Sequence, residues 1–105
     1  MPLKALERII NLFRSFPMFN VLLGKKPQKS FEQLDEKARK RVYSVFEVLE
    51  VNPWPAKDFD LAKIESLEDC FRIRIGKYRV CYHVNTNAKE ITVYRIEKKK
   101  DSTYK

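Results

Sequence analysis

Residues 70–84 read CFRIRIGKYRVCYHV, and the alternation of apolar and polar residues in this stretch decides the fold. Alternation on both sides of Gly76 and Lys77 predicts two antiparallel strands joined by a two-residue turn. A glycine at the first central position suits a type II′ turn. Counting back from that turn predicts these cross-strand pairs: Ile75 with Tyr78, Arg74 with Arg79, Ile73 with Val80, Arg72 with Cys81, and Cys70 with His83.

This register divides the hairpin into two faces. The buried face would carry the apolar set, namely Phe71, Ile73, Ile75, Tyr78, Val80, Tyr82 and Val84. The exposed face would carry Arg72, Arg74, Arg79 and His83. Like charges placed directly opposite each other destabilise a sheet. Two arginines face to face therefore favour an anion-binding role, with RNA phosphate as the anion, although simple RNA contacts without catalysis also agree with the pattern.

Positive charge is concentrated in this part of the chain. The 105 residues carry a formal net charge of +8, which points to a polyanionic partner. Residues 1–69 hold 12 Lys/Arg against 11 Asp/Glu, whereas residues 70–105 hold 10 against 3. A charge that only served solubility would be spread more evenly.

Other features predict a cytoplasmic protein. No apolar run is long enough for a transmembrane helix, and the first residues lack the order of a secretory signal. Cys70 and Cys81 would be diagonal neighbours roughly 7–8 Å apart, too far for an unstrained disulfide. Both are expected to be ordinary thiols without metal-ligand company.

Helices are predicted before the hairpin. Residues 3–16 place apolar side chains at helical spacing, which predicts an amphipathic N-terminal helix that ends at Pro17. Residues 19–23 are apolar and short, as in a buried or edge strand. Pro27 can open a short helix that runs towards Leu34.

The clearest helix follows at once. Asp35 is a good N-cap, and the motif Asn52-Pro53-Trp54-Pro55 stops the helix. Its apolar positions keep helical spacing: Ala38, Val42, Val45, Phe46 and Leu49. Residues 56–69 form a polar connection with room for one short extended piece. Residues 90–96 are typical of a last strand, and either of its faces could be the buried one.

Together these elements predict an α+β fold. The expected sheet is antiparallel with about four strands, in the sequence order β-α-α-β-β-β, and a helical hairpin packs on it. Residues 1–18 would be an N-terminal helical extension, and residues 19–105 would form the domain itself.

Three blocks of the chain carry a family resemblance: a strand and helical hairpin over residues 19–53, the stretch DCFRIRIGKYRVCY at 69–82, and a final strand followed by Lys98, Lys99, Lys100 and Tyr104. With these blocks the chain resembles the RelE/ParE toxins of prokaryotic toxin–antitoxin systems, and within them the RelE branch. RelE-type toxins are endoribonucleases that enter the ribosomal A site and cleave the mRNA there.

The resemblance implies that activity, and with it inhibition of translation. It also implies a RelB-like antitoxin that neutralises the toxin by binding, operator DNA bound through that antitoxin, and no metal or cofactor. Carried over position by position, it implies a catalytic set of Arg72, Arg74, Arg79, Lys99 and Tyr104. The implied RNA contacts are Lys77, His83, Lys98 and Lys100.

The chemistry of cleavage distributes roles among these residues. The 2′-hydroxyl must lose a proton, the phosphate charge must be stabilised, and the leaving 5′-oxygen must gain a proton. Arg74 and Arg79 suit the phosphate, and Lys99 suits the leaving group. A guanidinium is not deprotonated in proteins, so the base is left open among the following: Lys98 to Lys100, Tyr104, His83 or a ribosomal RNA group. Tyr104 could also stack on a base or orient the 2′-hydroxyl.

Two rival functions stay open. One is a ParE-like toxin that poisons DNA gyrase by binding; the lysine at position 99, where RelE enzymes usually have arginine, keeps this possible. The other is a basic RNA-binding module. Taken without the resemblance, residues 98–100 are typical of a solvated tail, Tyr104 of a frayed end, and His83 of an exposed strand residue.

Overall fold

The structure, a computed structural model, describes residues 18–99. Its elements in chain order are β1 (Asn20–Leu23), α1 (Lys25–Glu32), α2 (Glu36–Val51), β2 (Asp60–Lys63), β3 (Cys70–Ile75), β4 (Tyr78–Asn85) and β5 (Glu90–Lys98). The predicted helix over residues 3–16 lies outside the described residues, as do Lys100 and Tyr104.

The α+β class is confirmed, but the predicted sheet of about four antiparallel strands is wrong. The five described strands form one mixed sheet in the order β1-β5-β4-β3-β2. The additional strand is β2, a four-residue segment of the polar connection that pairs antiparallel with β3. Strand β1 pairs parallel with β5 at one edge of the sheet, and helices α1 and α2 carry the chain from there to β2 at the other edge.

The central hairpin has the predicted register at every pair, from Ile75 with Tyr78 to Cys70 with His83. Gly76 adopts a φ of 58°, a left-handed value that glycine reaches without strain. A Cβ at this position would also lie 2.7 Å from Nη1 of Arg41, which reaches over the turn from α2. Backbone conformation therefore favours glycine at the turn that fixes the register, whereas the flexible end of the Arg41 side chain can move aside from a Cβ.

The helical hairpin is built much as its sequence indicates. The side chain of Asp35 accepts a 2.8 Å hydrogen bond from the backbone N–H of Ala38, which confirms the predicted cap of α2. Helix α1 begins at Lys25, two residues before the expected start at Pro27. Proline is tolerated there because backbone N–H groups in the first turn have no partner within the helix.

The core lies between these helices and one face of the sheet. Apolar residues of α2 pack against β1, β3, β4 and β5, and the most deeply buried are Val42, Val45, Leu49, Ile73, Val80, Tyr82, Ile91 and Val93. Tyr82 brings a hydroxyl into this core, and it donates a 2.7 Å hydrogen bond to the carbonyl of Pro53. This bond ties the centre of the sheet to the segment that leaves α2.

We expect Tyr82→Phe to lower the free energy of unfolding by about 1–3 kcal/mol, because the buried carbonyl of Pro53 loses its donor while the ring volume is kept. Urea denaturation followed by circular dichroism measures the change. The matched control is Tyr43→Phe, since the Tyr43 side chain lies on the surface of α2 with its residue 48% exposed; a change within about 0.5 kcal/mol is expected there. Equal losses in the two variants would contradict the role given to the buried bond.

Candidate functional site

A row of four charged residues crosses the sheet on the face turned away from the helices. The ladder places Asp60 of β2 opposite Arg74, Arg74 opposite Arg79, and Arg79 opposite Glu97 of β5. We call this set the charged row. Its two central members have like charge, as the sequence predicts, and each outer member is a carboxylate. The acids offset part of the repulsion that two facing arginines would otherwise feel.

The ion pairs within the row are loose. Asp60 lies 3.9 Å from Nη1 of Arg74 and also 3.9 Å from Nη2 of Arg72. Glu97 lies 3.7 Å from Nε of Arg79. These separations exceed the usual length of a charge-assisted hydrogen bond, about 2.7–2.9 Å. The arginines are therefore held near acids without being tightly bound by them.

Two guanidinium nitrogens on this face are buried and have no hydrogen-bond partner, namely Nη1 of Arg72 and Nε of Arg79. The Arg72 side chain is only 18% exposed, so the fully exposed face expected from the sequence is wrong for this residue. A buried donor without an acceptor is costly. These two atoms are closed to solvent, so an anion with several oxygens, such as a phosphate, would bind the exposed parts of the Arg74 and Arg79 side chains, which are 41% and 36% exposed.

Lys99 joins the arginines at this end of the sheet. Its backbone N–H donates a 2.6 Å hydrogen bond to the carbonyl of Lys77, which continues the pairing of β5 with the hairpin. Partial burial and the positive charges of Arg74, Arg79 and Arg72 lower the pKa of Lys99, while Asp60 acts in the opposite direction. The structure thus brings together four of the five residues predicted to be catalytic.

A second row runs beside the charged row. It contains Ala62, Arg72, Cys81 and Arg95 at paired positions of β2 to β5. Cys81 and Cys70 are free thiols, as predicted, and both are buried although they lie on the face away from the helices. Burial above all, and then the carboxylate of Glu97, raises the pKa of the Cys81 thiol despite the nearby arginines.

The predicted RNA contacts are dispersed. Lys77 lies in the hairpin turn, close to Lys99. His83 shares the face of the arginines, but it is four residues from Arg79 along β4, about 13 Å at the usual rise per residue. Lys98 lies opposite Tyr78 and lines a groove of about 450 Å³ beside α1, away from the arginines.

Three residues of this face were missed by the sequence reasoning: Asp60, Glu97 and Tyr94. The acids come from β2 and β5, whose partners a single sequence does not reveal. Tyr94 is brought to the face by an irregularity in β5, since Tyr82 pairs with Val93 while Cys81 pairs with Arg95. One signal in the sequence could have pointed to the two acids: an acidic residue occurs in each of the segments that form β2 and β5, the strands on either side of the arginine hairpin.

Within residues 18–99, no group of three His, Cys, Asp or Glu side chains is arranged so that it could hold a metal ion. The helices of the same region are too short or too polar to cross a membrane. What the described face offers is a set of fixed cations with unsatisfied donors, which can bind and stabilise a phosphate.

The comparison with known families agrees with this geometry. A family profile described as the ParE toxin of the type II toxin–antitoxin system matches residues 24–102. The chain belongs to the RelE/ParE toxins. A curated relative of this toxin, RelE1 of Methanocaldococcus jannaschii, is 31% identical over 87 residues, which cover 83% of this chain and 96% of the relative.

Solved structures show the same toxin fold. The archaeal RelE–RelB complex from Pyrococcus horikoshii OT3 matches with a TM-score of 0.72 and 29% identity, covering 80% of this chain and 98% of that one. The RelBE complex of E. coli matches with a TM-score of 0.67 and 17% identity, covering 78% and 98%, and at that identity it supports the fold alone. The family assignment made from the sequence is therefore confirmed.

The electrostatic setting of Lys99 predicts opposite responses to two substitutions. Arg74→Gln removes a neighbouring positive charge and should raise the Lys99 pKa towards its usual value. Asp60→Asn removes the carboxylate that favours the charged amine and should lower that pKa further. Titration of the Lys99 Nζ resonance by NMR in isotope-labelled protein measures both. A shift of the same sign in the two variants would show that these charges do not control the amine.

Proposed function

We propose that this toxin is a ribosome-dependent endoribonuclease that cleaves mRNA in the A site and thereby inhibits translation. The observation that carries the proposal is the facing pair Arg74 and Arg79, whose side chains are 41% and 36% exposed on one face of the sheet. Guanidinium groups bind phosphate oxygens in pairs and stay charged at every relevant pH. A phosphodiester bound between them would accept hydrogen bonds from the exposed nitrogens of both side chains.

The reaction uses the RNA's own 2′-hydroxyl as nucleophile. The 2′-oxygen forms a bond to phosphorus, the bond from phosphorus to the 5′-oxygen breaks, and a 2′,3′-cyclic phosphate is left on the upstream product. Arg74 and Arg79 stabilise the negative charge that builds on the non-bridging oxygens. Lys99, with its lowered pKa, gives the proton that the leaving 5′-oxygen needs.

Distance narrows the choice of the base that takes the proton from the 2′-hydroxyl. His83 is about 13 Å from Arg79 along the strand, too far to act on the same phosphate. Lys98 lies on the side of the sheet that faces α1. Lys99 holds the proton for the leaving oxygen, so the role of base falls to residues 100–105, which include Lys100 and Tyr104, or to ribosomal RNA. Alignment on the ribosome would supply much of the rate, up to roughly 7–11 kcal/mol.

The acids of the charged row have a role before RNA arrives. Asp60 and Glu97 keep the arginine side chains apart, and their loose contacts can be exchanged for phosphate contacts at little cost. Tight ion pairs would have to be broken first. The acids thus keep the cations in position without blocking the phosphate site.

A RelB-like antitoxin is the proposed protein partner, as in the complexes from P. horikoshii and E. coli. It would neutralise this toxin by covering or distorting the face that carries Arg72, Arg74 and Arg79, and the complex would bind operator DNA through the antitoxin. The positive charge of that face favours a partner with acidic residues at the contact.

We expect Arg79→Ala to reduce cleavage in the A-site codon by about 10²–10³-fold, because a fixed donor to the transition-state charge is lost. Primer extension on mRNA from ribosomes programmed with a defined codon measures the cut. Lys40→Ala is the matched control: it also removes one positive charge, but from the outer side of α2, where Lys40 pairs with Glu36 at 3.3 Å. Cleavage by the Arg79 variant at the wild-type rate would exclude this residue from the mechanism.

Gyrase inhibition is the second candidate, favoured by the match to the ParE profile. It requires binding to gyrase and no RNA chemistry. The two functions separate in one pair of assays with purified toxin. Cleavage on programmed ribosomes without effect on DNA supercoiling supports the nuclease, whereas inhibited supercoiling with intact mRNA supports the gyrase poison. A basic RNA-binding module would give neither result.

A further inference from the structure

A β-bulge in β5 turns an additional side chain towards the face that carries the charged row. Cys81 pairs with Arg95 and Tyr82 pairs with Val93, which leaves Tyr94 without a partner in the ladder between them. An inserted residue of this kind redirects side chains, and bulges recur beside functional sites. Regular alternation would not give two consecutive residues to one face.

The contacts of Tyr94 show on which face it lies. The thiols of Cys70 and Cys81 lie near enough to Tyr94 to affect its pKa, and both thiols are on the face away from the helices. Burial, reinforced by the two thiols, raises the pKa of Tyr94 to about 12, so the phenol stays neutral. The residue is only partly buried. A neutral aromatic ring is thus partly exposed on this face, near the guanidinium of Arg95.

The ring is also at a useful distance from the phosphate site. Cys81 is two residues from Arg79 along β4, about 7 Å at the usual rise. Along the sheet, Tyr94 lies level with Cys81 or slightly farther from Arg79. It is next to Arg95, and its strand β5 is separated from the Arg72 strand, β3, by β4. A single nucleotide bridges such a gap when its phosphate is bound at the charged row.

We propose that Tyr94 is a stacking platform for a nucleobase next to the scissile phosphate, with the guanidinium group of Arg95 beside it. The assignment rests on the proposed RNA cleavage and names the part of the site that holds the base. Aromatic rings accept bases by stacking, and neighbouring guanidinium groups add attraction. The base contact holds the sugar so that its 2′-hydroxyl is in line with the phosphate at Arg74 and Arg79.

A double-mutant cycle between protein and RNA tests this platform. One arm compares wild type, Tyr94→Phe and Tyr94→Leu; the other compares normal mRNA with mRNA that carries an abasic nucleotide at each position of the A-site codon in turn. We expect Tyr94→Phe to cleave within about twofold of wild type, since the ring remains. Tyr94→Leu should lose about 10-fold in kcat/KM. An abasic nucleotide at one position of the codon should lower the kcat/KM of wild type by a similar factor. The same nucleotide should not lower the kcat/KM of Tyr94→Leu any further.

Two results would overturn the proposal: full activity of Tyr94→Leu, or abasic penalties that are as large in that variant as in wild type. The second would mean that Tyr94 only covers the thiols. Thermal unfolding checks folding, and Tyr94→Met, also unbranched at Cβ, replaces Tyr94→Leu if the latter does not fold. If wild-type toxin cleaves no mRNA, the proposed function fails. The same cycle is then measured as RNA affinity, by fluorescence anisotropy with short RNA fragments. Additive losses of affinity from the Tyr94 substitution and the abasic position exclude stacking, and a non-additive loss supports it.

Discussion

The constraint on which the rest of the structure depends is the direct opposition of Arg74 and Arg79 in the central hairpin. Two like charges at one paired position are unfavourable, and the fold keeps them there by fixing the register with a glycine that no larger residue can replace without strain or contact with Arg41. It then places one carboxylate on each outer side of the pair. These carboxylates reduce the repulsion between the two arginines enough for the protein to fold. The exposed N–H groups of the arginines remain available to an external anion.

Local sequence patterns were sufficient to predict much of this architecture. The hairpin register follows from strict alternation around Gly76, and helix α2 follows from the Asp35 cap and helical spacing. Strand β2 was foreseen only as one short extended piece within residues 56–69, because four residues in a polar segment carry too little alternation to show a strand or its partner. The parallel partner of β1 was missed because pairing across the whole chain leaves no local signal.

The candidate site was likewise predictable from the sequence only in part. The cations could be predicted because they lie on one hairpin and at the end of the strand after it, whereas the roles of Asp60 and Glu97 depend on which strands pair with the hairpin. The bulge at Tyr94 explains why neither face of the last strand could be chosen as the buried one. Residues before the bulge and residues after it follow opposite alternations, so no single pattern describes β5.

The parallel ladder between β1 and β5 has a consequence for synthesis of the protein. Asn20 and its partner Glu90 are about 70 residues apart, so this closure has a high contact order and cannot occur until the last strand has been translated. Glu97 and Lys99 come from the same late segment. A nascent chain therefore emerges with its arginines before the strand that completes their surroundings.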